Sequence, residues 1–160
     1  MCGWKNVLWL RNAAGFSPSD RTDPLANFFF GGFGNNWVDH QAVKRYRSYY
    51  AFPGLELNEA GGANFVRTML EWNLPPIRFK RAGTPDFYLS HIRPALFASS
   101  LVTNFNDDEL RERSKNMGIQ LDLQFTVKTR FPMTLSVGYA KAFGEADFED
   151  DEWMVSLKIL

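Results

Sequence analysis

Asp39 and His40 stand side by side, and a carboxylate next to an imidazole is a pairing that general acid–base catalysis uses. The other histidine is His91, and no serine or cysteine nucleophile signature accompanies either one. Both histidines therefore read as structural. Glu145 to Glu152 is rich in Asp and Glu and could hold a divalent cation, but a run of like charge is ordinarily a solvated loop. No glycine-rich phosphate loop, metal-ligand spacing or nucleophile elbow occurs. The lone cysteine, Cys2, excludes an intrachain disulfide and a cysteine-based zinc site. The expectation is a protein that is not an enzyme, with no catalytic residues, no metal and no cofactor. The sharpest remaining feature is the cationic run Lys44-Arg45-Tyr46-Arg47, whose bland reading is a solvated stretch.

The elements that would carry these residues are strands. In Gly118 to Lys128, Ile119, Leu121, Leu123, Phe125 and Val127 alternate with Gln120, Asp122, Gln124, Thr126 and Lys128. Period two is the signature of a strand with unlike faces. The run lasts about ten residues, the length at which a tilted strand crosses a bilayer; strands of soluble sheets average about five or six. Asn64 to Leu74 alternates likewise, with Val66, Thr68, Leu70 and Trp72 against Arg67, Met69 and Glu71, and Pro75-Pro76 ends it. Val7–Phe16 and Phe87–Val102 read as less regular strands, and Pro94 is best placed at a bulge or where a ladder bond is missing. Met133 to Phe143 and Glu152 to Leu160 complete the set, the last with Trp153, Val155, Leu157 and Ile159 in one row.

The connections are informative too. Residues 17–63 form one very long connection, in which Gly31-Gly32 reads as a bulge or a close backbone approach and Gly61-Gly62 as a turn. Thr103 to Asn116, Thr129 to Pro132 and Gly144 to Glu152 follow the rule of outer-membrane barrels, short turns at one end and long loops at the other. Trp4, Trp9, Trp72 and Trp153 are candidate interface anchors. Eighteen Lys+Arg balance 18 Asp+Glu, which argues against nucleic acid as a partner. No apolar run reaches the roughly 18 residues of a transmembrane helix. The N-terminal stretch is a poor signal peptide, broken by Asn6, Arg11 and Asn12, so the chain is expected to be the C-terminal part of something longer. The fold class expected is all-β, an antiparallel transmembrane β-barrel portion of about six strands. The competing reading is a soluble small barrel or sandwich that binds an apolar ligand, its apolar rows turned inward.

The chain also resembles the C-terminal barrel of the bacterial surface antigen family, the outer-membrane protein assembly factor superfamily. That family carries a Val/Ile-Arg-Gly-Phe/Tyr motif in a long outer loop that folds back into the lumen. Tyr46-Arg47-Ser48-Tyr49 is the matching stretch, with Ser48 where the family has glycine. Phe30-Gly31-Gly32-Phe33 resembles the segment before the motif; Gly61-Gly62-Ala63-Asn64 and Leu70-Glu71-Trp72-Asn73-Leu74-Pro75 resemble the stretch after it. The chain ends Lys158-Ile159-Leu160, without the terminal aromatic usual in such barrels. The resemblance implies that residues 1–160 are the C-terminal part of a sixteen-stranded barrel, with a lumen-directed loop at about 17–63. It implies that Arg47 pairs with an acid of the inner wall, Glu71 or Asp122, and that Trp153, Val155, Leu157 and Ile159 belong to a seam strand. It implies insertion or translocation of proteins at the bacterial outer membrane, with membrane lipid and client outer-membrane or secreted proteins as partners. The barrel could equally be the membrane anchor of a larger fusion protein.

Overall fold

Apolar and polar residues alternate through the long strands, and the sheet they build has two unlike faces. The computed structural model describes residues 6–18, 26–33, 44–80, 82–84, 86–128, 130–144 and 149–159. Its strands are β1 (Val7–Phe16), β2 (Phe28–Phe30), β3 (Ala60–Gly62), β4 (Asn64–Asn73), β5 (Ile77–Arg78), β6 (Gly83–Thr84), β7 (Phe87–Thr103), β8 (Glu112–Val127), β9 (Phe131–Phe143) and β10 (Glu149–Ile159). The long strands pair antiparallel in the order β1-β4-β7-β8-β9-β10, with β5 and β6 added to β7. Among the described residues the sheet does not close, and β1 and β10 are its edges. β2 and β3 form a second, two-stranded sheet. No helix among the described residues is long and apolar enough to cross a membrane.

One face of the large sheet is covered by the described parts of residues 26–63, which we call the internal segment. Phe30, Phe52, Leu55 and Ala60 pack with Phe65 of β4, Leu101 of β7 and Ala142 of β9. Phe33 and Tyr46 pack with Met69, Phe97, Ala140 and Met154 from β4, β7, β9 and β10. Elsewhere the covered face is polar: Arg67, Glu71, Asn116, Gln120, Asp122, Thr134 and Ser136 are all buried.

No described residue covers the opposite face, and it is apolar. Leu10 (64% exposed), Leu70 (46%), Met117 (58%), Val155 (72%) and Ile159 (63%) lie on it. Leu121, Leu123, Phe125, Leu135 and Val137 share that face and are half-buried by their neighbours. A soluble sheet covers its apolar face and wets its polar one; here the polar face is the covered one.

Several boundaries differ from those the sequence suggests. β8 begins at Glu112, six residues before Gly118, and β10 begins at Glu149 rather than Glu152. The extra residues extend the β7–β8 and β9–β10 hairpins, where charged side chains leave no apolar row to mark a strand. The 75–86 connection is partly ordered: Ile77–Arg78 and Gly83–Thr84 pair with the start of β7. Gly61 and Gly62 lie in β3 and pair with Phe29 and Phe28, so they are not a turn. At Gly31 the close approach is observed, because the Glu56 carbonyl oxygen fills the place of a Cβ. The irregularity in β7 falls between Leu89 and His91; Pro94 stays in register with Leu121, just where pairing to β4 ends at Ala95. Trp9 is opposite Glu71 and so shares the covered side, with the Arg11 guanidinium 5.4 Å from its ring centroid. It therefore does not belong with the outward anchors. Trp72 and Trp153 are on the apolar face. Trp4, Cys2, Asp39, His40, residues 145–148 and Leu160 lie outside the described residues.

Candidate functional site

Glu71 is completely buried on the covered face of β4. Alternation puts it there: Arg67, Met69 and Glu71 point to one side, while Val66, Leu70 and Trp72 point to the other. An isolated buried carboxylate is costly, so its partners decide whether the site is tolerable. Arg47 supplies a two-toothed grip: Nε donates to Oε2 at 2.9 Å and Nη2 donates to Oε1. This fork-on-carboxylate geometry is the strong form of the charge-assisted hydrogen bond. Asn73 Nδ2 donates to Oε1 at 2.7 Å, Arg11 Nε approaches Oε2 at 3.4 Å, and Lys44 Nζ lies 3.6 Å from Oε1. Lys44 also donates to Asn73 Oδ1. One carboxylate thus gathers cations from β1 and from both ends of the Lys44–Arg47 run.

Burial lowers the pKa of the Lys44 ammonium, against the opposing pull of Glu71 and Asp122. Burial and then the Glu71 charge push the Tyr46 phenol up. For Arg47, burial pulls downward, and the hydrogen bonds and charge of Glu71 outweigh it, leaving the guanidinium firmly protonated.

Asp122 takes different partners. Gln120 Nε2 donates to it at 2.5 Å and Ser136 Oγ at 2.8 Å. Both acids lie on the covered face, but it is Glu71 that grips Arg47. Asp122 is two strands away, across β7, a lateral step of roughly 10 Å at 4.8 Å per strand.

The four residues of the motif stretch have separate tasks. Tyr46 is fully buried and stacks on Phe97, with centroids 4.2 Å apart and planes at 15°. Tyr46 and Arg47 lie in a single 3-10 turn, Arg45–Arg47. Ser48 follows with φ −61° and ψ 142°, a conformation open to any residue, so no glycine is needed there. Tyr49 is half exposed and stacks loosely on Phe65, 6.2 Å away. Trp153, Val155, Leu157 and Ile159 are far from this cluster in character: they form an exposed apolar row on edge strand β10.

No protein-family model, curated protein or solved structure matches the chain.

A second cation was missed by sequence reasoning. Arg67 is 3% exposed, and no carboxylate among the described residues pairs with it. Its Nη1 donates to the carbonyls of Ser48 and of Tyr49 (2.9 Å), and its Nη2 to that of Tyr46 (3.0 Å). Three carbonyl dipoles replace the water that the guanidinium lost, and the same bonds satisfy the carbonyls leaving the 3-10 turn. Its visible signal was only its place on the same face of β4 as Glu71. Together Arg67 and Glu71 fix residues 46–49 from the sheet side, one through backbone and one through charge.

The acidic run does not assemble a cation site among the described residues. Glu149 instead pairs with Lys141 at 2.6 Å. His91 is hydrogen-bonded to Ser90 and Arg93, and no carboxylate among the described residues is bonded to it.

Arg47→Ala is expected to loosen residues 44–51 while leaving the strand order intact, because Tyr46 stacking and the Arg67 bonds remain. Its side chain is 37% exposed, so solvent screening keeps the stability loss modest. Limited proteolysis checks this: a new cut within 44–51 is expected, and an unchanged digestion pattern would mean that the ion pair does not hold the segment.

Proposed function

We propose that the chain is a portion of a bacterial outer-membrane β-barrel of the surface antigen type, acting in insertion or translocation of proteins at that membrane. The observation that carries the reading is the sheet's orientation. Its polar face is buried beneath the internal segment, and among the described residues its apolar face is bare over six long strands. Lipid is the solvent that suits such a face, and an enclosed aqueous lumen suits the other. β7 and β8 have 17 and 16 residues, more than the roughly 9–11 that span a bilayer. The charged start of β8, Glu112 to Lys115, would project beyond the membrane, at the end where the long connections lie.

The edges fit the same reading. β1 and β10 offer unpaired backbone, which a bilayer does not tolerate. The remaining strands of a sixteen-stranded barrel would occupy those edges, with β10 on one side of the seam. The internal segment would be the lumen-directed loop, and the bond from Arg47 to Glu71 supports its likeness to the family's motif loop. The action proposed is mechanical: a weak seam and an internal loop allow client strands to pair or pass, with no bond-making chemistry.

Fractionation tests the membrane half of this. The full-length protein is expected in the outer-membrane fraction, to need detergent for extraction, and to migrate differently on gels before and after boiling. Recovery as a detergent-free soluble protein would favour the apolar-ligand reading instead. Depletion tests the activity half: levels of other outer-membrane barrels should fall. Unchanged levels would leave a membrane anchor without an assembly role.

A further inference from the structure

The charged side chain that ties the edge strand to the interior is Glu152. It lies on β10 two residues before Met154, whose side chain is buried in the cluster with Phe33 and Tyr46. Its Oε1 accepts the backbone N–H of Phe33 at 3.1 Å, and its Oε2 accepts that of Gly54 at 3.1 Å. These two amides come from separate stretches of the internal segment, the exit of β2 and the Phe52-Pro53-Gly54 turn. The stretches are themselves joined, since Gly32 N–H donates to the Leu55 carbonyl at 2.9 Å. A carboxylate accepting two backbone amides makes two charge-assisted bonds and satisfies donors that would otherwise lose their water.

The geometry of the turn aims one of these donors. Gly54 has φ +97°, a region that side-chain-bearing residues rarely occupy. A Cβ there would sit 2.6 Å from the backbone nitrogen of Ala142 on β9. Glycine thus lets the turn press against β9 while its N–H reaches β10. On its other side β10 has no strand partner among the described residues. A groove of 660 Å³, lined in part by Phe33, Leu55, Glu152, Met154 and Ser156, opens between β10 and the segment. β10 is therefore held by the β9 ladder and, from beneath, by this clamp.

We propose that Glu152 is a positioning residue that fastens the edge strand β10 to the internal segment, so that unseating the segment loosens that edge. Between these two amides in sequence, the segment is anchored to β4 through Arg47 and Glu71. Release there is transmitted through the Phe33 and Gly54 amides to Glu152. The inference concerns the fold alone and does not rest on the membrane activity proposed above.

Hydrogen–deuterium exchange of the detergent-purified protein tests it, with two variants. Glu152→Gln keeps the shape and one acceptor oxygen, and turns an NH2 donor toward one of the two amides. The β10 amides bonded to β9, and those of 31–33 and 53–55, are expected to exchange about tenfold faster or more, the factor that one lost charge-assisted bond corresponds to. Arg47→Ala removes a bond to β4 and none to β10, yet it should speed exchange in β10 as well as in 44–55. Amides of the β7–β8 ladder, unchanged in both variants, are the baseline that separates this from general destabilisation. In a Glu152→Gln background, Arg47→Ala should add nothing further at β10. The proposal is overturned if Arg47→Ala loosens 44–55 and leaves β10 as it was, a result obtainable even if Glu152→Gln fails to fold. It is equally overturned if Glu152→Gln folds with unchanged exchange at β10.

Discussion

Glu71→Ala is expected to destabilise the protein by about 3–5 kcal/mol, the usual cost of removing one partner from a buried ion pair. The cost comes from what remains. Arg11, Lys44, Arg47 and Asn73 all converge on this carboxylate. Arg11 and Arg47 are each 37% exposed and can turn toward water, whereas Lys44 is 11% exposed and is left charged against low-dielectric surroundings. The two accessible arginines pull the expected loss toward the lower end of that range. Glu71→Gln should fall between wild type and alanine, since it keeps an acceptor and removes the charge. The decisive comparison is Lys44→Met in the Glu71→Ala background. If stranded charge is the cause, the second substitution should recover part of the loss; if a cavity is the cause, it should add to it. Denaturant unfolding in detergent measures both. A loss for Glu71→Ala no greater than that for Arg47→Ala would mean that the cluster is solvated.

The contrast between these residues shows what a sequence can reveal. The apolar rows of β4, β8, β9 and β10 were legible because alternation needs no knowledge of neighbours. The polar starts of β8 and β10 were not, because Glu112 to Lys115 and Glu149 to Asp151 carry charge on both faces. Arg47 was singled out through a family resemblance, but period two could not choose between Glu71 and Asp122. Both belong to the covered face, and the choice depends on how many strands lie between them, which is a property of the assembled sheet. Arg67 and Glu152 were passed over for a different reason. Each takes backbone partners, carbonyls for the two terminal nitrogens of Arg67 and amides for Glu152. A backbone partner has no residue type, so no spacing or composition points to it. The face of Trp9 was not legible because the register of an irregular strand is set by its partner: pairing with Glu71 assigns it.

Leu121→Arg is expected to cost about 2–4 kcal/mol in a bilayer, the penalty for a cation on the lipid face of a barrel near mid-depth. Leu121 is suited to the test by position. It lies on the uncovered face of β8, opposite Pro94 and Val137, near the middle of the apolar row that runs from Met117 to Val127. In water the same substitution at a half-exposed sheet position would stay within about 0.5 kcal/mol, because the guanidinium would simply be hydrated. The two solvents thus differ by more than the uncertainty of either figure. Gln120→Leu is the control from the next residue. Gln120 is fully buried on the covered face and donates to Asp122 at 2.5 Å. Its replacement strips a buried carboxylate of one donor, so it should destabilise the protein by a similar amount whatever surrounds the outer face. Unfolding measured for both variants in lipid vesicles should show two comparable losses. A silent Leu121→Arg beside a damaging Gln120→Leu would mean that water wets the apolar face, and the membrane assignment would have to be abandoned while the clamp on β10 stood.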